Sequence, residues 1–98
     1  MEKQQQIMTK KETKQPEDRT VEKDSDIKSL VLFNDSVNTF DFVVKTLIEV
    51  CGHDAFQAET CTWIAHFKGR CTVKKGTLSA LQPCCDEMTF RNLSVEIQ

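Results

Sequence analysis

Residues 29–52, SLVLFNDSVNTFDFVVKTLIEVCG, decide the fold. The opening SLVLF (29–33) is a short apolar run rich in β-formers, and the turn pair Asn34-Asp35 ends it, which predicts a buried strand. A loop at Ser36 and Val37 leads to Asn38, which stands where an N-cap would, with Asp41 three residues on as a weak capping-box partner. Phe40, Val43, Val44, Leu47, Ile48 and Cys51 then fall at i, i+3, i+4, i+7, i+8 and i+11, the apolar stripe of an amphipathic helix. Gly52 is the expected stop, because glycine enters the left-handed conformation without a Cβ clash.

Outward from this unit the signals continue. Asp54 can cap a second helix with Gln57 reciprocating, Ala58, Cys61, Ile64 and Ala65 supply a narrow apolar face, and Gly69 closes it. RCTVKK (70–75) predicts a strand, and Gly76 turns the chain. From Thr77 to Arg91, Leu78, Leu81, Cys85 and Met88 keep helical spacing around Pro83, which should sit in the first turn or mark a kink. Asn92 is a left-handed stop, and LSVEI (93–97) alternates as a closing strand. The order β-α-α-β-α-β predicts an α+β fold, a small three-stranded antiparallel sheet packed against three helices.

Composition bounds what such a fold can do. The chain has 98 residues and a net charge of −2, from 13 Lys+Arg against 15 Asp+Glu, which is one domain without the positive field that nucleic acid demands. A two-domain enzyme with a cleft between lobes does not fit in it, and no apolar run reaches the length of a membrane-spanning helix. The charge is split: residues 1–26 hold 6 basic and 7 acidic side chains but 4 of the 38 hydrophobic residues, and are expected to form a disordered N-terminal arm. Residues 27–98 are then the folded domain. The arm has no apolar h-region and too many acids for a transit peptide, so the expected location is the cytoplasm. The five cysteines, Cys51, Cys61, Cys71, Cys84 and Cys85, include no C-x-x-C pair and read as small buried hydrophobes, with no metal, cofactor or disulfide expected. Nothing resembling a heptad suggests more than a monomer.

Two groups of residues stand out chemically. His66, near the end of the second helix, is either a histidine bonded to backbone at a helix C-terminus or a polar group at the mouth of an apolar pocket. Asn34, Asp35 and Ser36 are either a plain turn or a rim of acceptors without a basic neighbour. Acceptors without cations suit a protonated amine, and with His66 opposite they would form an amino-terminus clamp.

The segments VLFNDSVNTFDFVVKTLIEVCG and AETCTWIAHFKGR resemble the ClpS family, adaptors that bring N-degron substrates to a Clp ATPase and protease. The likeness spans residues 29–97 and is most specific over 31–47 and 58–70. It implies a non-enzymatic adaptor in which Asn34, Asp35, Ser36 and His66 hold the substrate's free α-amine. It also implies that Asn38, Phe40, Val43, Thr62, Ala65 and Leu93 line the pocket for the bulky first side chain. The implied partners are N-degron peptides or proteins and the N-terminal domain of a Clp AAA+ ATPase of ClpA or ClpC type. Three departures bear on this: Ser36 replaces the motif's second acid, Thr62 replaces a Met gatekeeper, and TLSALQP stands where the docking helix has an acidic start. Ser36 gives up an ion-assisted hydrogen bond, and Thr62 predicts a smaller, more polar wall with looser first-residue discrimination. The competing readings are a ribosomal-stalk-like interaction module of the same topology and a small thiol enzyme, for which no motif context exists.

Overall fold

The computed structural model describes residues 26–98. Apart from Asp26, the expected arm lies outside the described residues. The elements run β1 (Lys28–Phe33), α1 (Phe40–Cys51), α2 (Ala55–Lys68), β2 (Arg70–Gly76), α3 (Leu78–Phe90) and β3 (Val95–Ile97). The sheet has the order β2-β1-β3 with both pairings antiparallel, so the order and architecture are those the sequence predicts.

β1 is central because it is the most apolar strand. Leu30 and Leu32 point into a core completed by Leu47 and Cys51 of α1, Ala58 and Ala65 of α2, Val73 of β2, Leu81 and Met88 of α3, and Leu93. The pairing of β1 with β2 shifts between Leu30 and Val31, which leaves Val73 without a cross-strand partner. Its carbonyl is satisfied from elsewhere: His53 Nε2 lies 2.6 Å from Val73 O and acts as the donor. His53 is 5% exposed, and its Nδ1 is buried without a partner.

The helix ends follow local chemistry, with three differences from the sequence reading. α1 is capped by Thr39, whose Oγ1 accepts from Phe42 N–H at 3.1 Å, and not by Asn38. Asn38 belongs to the loop instead, because its N–H and side-chain amide are bonded to Asp35. Pro83 sits in the second turn of an unbroken α3 rather than in its first, where its missing N–H falls beside the exposed Ser79. Ile48, placed on the apolar stripe by spacing, is exposed, while the neighbouring Thr46 is fully buried. Gly52 and Gly69 take the left-handed φ of 73° and 93° that closes α1 and α2. Asn92 does so after α3 at φ 69°.

Candidate functional site

The site grows from the end of β1. Asn34 N–H donates to Gly69 O at 2.9 Å, which ties the chain leaving the strand to the C-terminus of α2. The following loop folds around Asp35. Its Oδ1 accepts from Val37 N–H at 2.9 Å and Asn38 N–H at 2.8 Å, and its Oδ2 from Asn38 Nδ2 at 3.0 Å. Partial burial pushes the Asp35 carboxyl up, but these hydrogen bonds, led by Asn38 N–H, hold it below its ordinary value. Asn38 Nδ2 also donates to Asn92 O at 2.9 Å, so the far side of the loop is tied to the turn after α3.

Between this loop, the start of α1 and the last two turns of α2 lies a cavity of about 290 Å³. Leu32 and Phe33 reach it from β1, Phe40 and Val43 from α1, and Thr62, Trp63 and Ala65 from α2. Its polar lining is Asn34, Asp35, Ser36, Asn38 and His66. Nine of the ten residues proposed from the sequence therefore meet at one cavity. Leu93 does not: it is buried in the core just after the left-handed turn at Asn92, with its N–H bonded to Met88 O. It precedes β3, which starts two residues later than the LSVEI reading predicts.

The polar groups divide into two kinds. Asp35, Asn38 and Thr62 are engaged in holding the structure, Thr62 Oγ1 donating to Ala58 O at 2.7 Å within its own helix. With that hydroxyl turned to the backbone, Thr62 offers its methyl as wall, which is less polar than its residue type suggests. The Asn34, Ser36 and His66 side chains make no hydrogen bond to another described residue. Asp35 carries the single carboxylate of the lining, and no Lys or Arg joins it.

His66 is exposed on α2 and meets Trp63 and Phe67 edge-on, with ring centroids 6.0 and 5.0 Å away. The histidine bonded to backbone in the core is His53, not His66. Sequence reasoning missed Trp63 as a wall. Its ring packs against that of Phe40, with centroids 4.6 Å apart, and stacks on Phe67 at 5.2 Å, with an interplanar angle of 11°. The available signal was spacing, since Trp63 stands one turn before His66 and Phe67 on the same helix. Arg70 places its guanidinium over the outer Phe33 ring at 5.2 Å and bonds Gln98.

No group of three or more His, Cys, Asp or Glu side chains among the described residues is arranged to hold a metal ion. Among the same residues no helix is long and apolar enough to cross a membrane. Burial pushes the Cys51 thiol up to about 11, and burial with the neighbouring Cys61 pushes Cys71 up to about 12. Neither carries the thiolate that nucleophilic catalysis requires.

Comparison with known proteins bears on the fold and the family. Agrobacterium tumefaciens ClpS2 bound to L-phenylalaninamide is similar in fold, with a TM-score of 0.65 at 16% identity over 76% of this chain and 96% of that one. No individual curated sequence matches. The family model for the ATP-dependent Clp protease adaptor protein ClpS matches residues 23–94, which takes in every helix and the loop, cavity and α2 rim described above. By that match, this chain belongs to the ClpS family.

Proposed function

We propose that this protein is an adaptor that binds the free amino terminus and bulky hydrophobic first residue of N-degron substrates and delivers them to a Clp AAA+ unfoldase. One observation carries the reading: an apolar cavity opens beneath a rim where Asn34, Ser36 and His66 are free to bond and the one charged side chain is the Asp35 carboxylate. A protonated amine next to an apolar side chain complements both halves. The same pairing occurs in L-phenylalaninamide, the ligand of the similar Agrobacterium protein, which joins a free α-amine to a benzyl group.

Each residue has a part in this reading. Asn34, Ser36 and His66 bond the ammonium directly, and Asp35 supplies the negative charge while keeping the loop in shape. Phe40, Val43, Thr62, Trp63 and Ala65 receive the first side chain, and Asn38 fixes the rim to the turn after α3. The protein binds its substrate without transforming it. Residues 27–98 are the adaptor domain of a cytoplasmic monomer, and the polar segment 1–26 is the part offered to the unfoldase.

Trp63 is the chain's single tryptophan and lines the cavity, so its emission reports on the site. Peptides beginning with Leu or Phe are expected to change that emission with micromolar or tighter Kd. Acetylating the α-amine should weaken binding at least about tenfold, because one charge-assisted hydrogen bond is worth about 1.5–3 kcal/mol. Equal binding of free and acetylated peptides would leave a ClpS-like interaction module without amino-terminal recognition. Delivery is tested separately, by the rate at which a Clp ATPase and protease degrade a Leu-first reporter with and without this chain.

A further inference from the structure

We infer that the Trp63–Phe67 stack is a second recognition element, which selects the side chain following the amino-terminal residue and favours an aromatic or arginine side chain over an acidic one. This rests on the amino-terminal reading of the cavity. α2 carries two apolar faces. One, formed by Ala58, Cys61 and Ala65, is buried in the core. The other, formed by Phe56, Trp63 and Phe67, points to solvent, with Trp63 48% and Phe67 74% exposed. Phe56, Trp63 and Phe67 fall at i, i+7 and i+11, one stripe directly opposite the core face. Core packing therefore gives no reason for aromatic rings there.

The position of the stack identifies its occupant. Trp63 belongs to both the cavity wall and the exposed pair, so the stack continues the binding surface without a gap. The His66 ring, on the amine rim, lies 6.0 Å from Trp63 and 5.0 Å from Phe67. Consecutive Cα atoms of a peptide are about 3.8 Å apart and successive side chains of an extended chain point to opposite sides. With its amine at His66 and its first side chain in the cavity, a peptide sends its second side chain outward within reach of the two rings. Aromatic faces are negative and attract planar or cationic groups, whereas a carboxylate meets that face and the Asp35 charge together.

Anisotropy titrations of the full chain with Leu-Arg-, Leu-Phe-, Leu-Gly- and Leu-Asp-initiated peptides, otherwise identical, test the inference. Leu-Arg and Leu-Phe are expected to bind about three- to tenfold tighter than Leu-Gly, and Leu-Asp the weakest. In Phe67→Ala that spread should shrink below twofold while discrimination between free and acetylated Leu-Gly persists, and Phe67→Tyr should restore the ranking. An unchanged ranking in Phe67→Ala, or equal affinity for all four peptides on the native chain, overturns the second-residue element alone. Binding indifferent to acetylation overturns it together with the amino-terminal reading.

Discussion

Replacing His53 by alanine is expected to cost about 2–4 kcal/mol of folding stability and leave peptide binding intact, whereas His66→Ala should do the reverse. The magnitude for His53 follows from its place in the fold. The register shift in the β1–β2 pairing strips Val73 of its ladder partner, and His53 Nε2 at 2.6 Å takes over as donor to the Val73 carbonyl. Removing the imidazole orphans that buried acceptor, at about 1–3 kcal/mol, and vacates space in a tightly packed region, at about 1–2 kcal/mol more. A partial offset comes from Nδ1, which already lacks a partner, so its loss relieves one unmet acceptor. His53→Phe keeps the volume and isolates the hydrogen bond, with an expected cost of about 1–3 kcal/mol. A domain of this size shifts its Tm by about 4–8 °C per kcal/mol, so His53→Ala should melt roughly 8–32 °C lower. Urea denaturation followed by circular dichroism measures the stability, and Trp63 emission measures peptide affinity on the same samples. If His53→Phe matches the native chain within about 0.5 kcal/mol, or His66→Ala melts as low as His53→Ala, the division of labour between the histidines is refuted.

Asp35→Ala should destabilise by about 1 kcal/mol through the loss of three hydrogen bonds at a partly exposed carboxylate. Because the folded carboxyl sits below its ordinary value, that contribution is present above the unfolded pKa near 4 and fades as pH falls through the lower folded value. The urea midpoint of the native chain should therefore drop across that window more than that of Asp35→Ala, and parallel curves would exclude the effect. Gly52→Ala should cost about 1 kcal/mol from its φ of 73° alone, since nothing lies within 4 Å of the added Cβ. Gly52→Asn should cost less, as read by the same denaturation. With their thiols at about 11 and about 12, Cys51 and Cys71 should resist iodoacetamide at pH 8 in the folded chain and react in urea, as peptide mass spectrometry would show.

The fold was legible where a single local cause sets the structure. Gly52, Gly69 and Asn92 fix their turns through left-handed φ, and Asp54 caps α2 by accepting from Gln57 N–H at 2.7 Å. Where two local causes compete, the sequence misled. Asn38 and Thr39 are both good caps, and the choice between them falls on a third residue, Asp35, and a fourth, Asn92, which is 54 positions away. Ile48 fits the stripe of α1 by spacing, yet the helix is rotated so that Thr46 is buried instead, an orientation set by packing against the rest of the core. His53 was invisible as a structural residue because its partner is created by a strand irregularity that no periodicity announces.

The site shows the same division more sharply, because residue type does not tell which hydrogen bonds are already spent. From the sequence, Asp35, Asn38 and Thr62 look as available to a ligand as Asn34, Ser36 and His66. The structure commits the first three to loop and helix bonds and leaves the last three open. This reassigns the effect of the serine at position 36. If Asp35 is fastened to its loop, the negative charge at the rim is fixed in place whether or not position 36 adds another. Ser36 then supplies a neutral acceptor whose orientation is free. In the proposed adaptor, amine recognition would depend on a preorganised carboxylate behind a ring of adaptable neutral groups, which favours tolerance in the angle at which the amine enters over maximal strength of any one bond. On that proposal, such tolerance matches a wall made of the Thr62 methyl, and the finer discrimination would lie outside the cavity, at the aromatic face of α2.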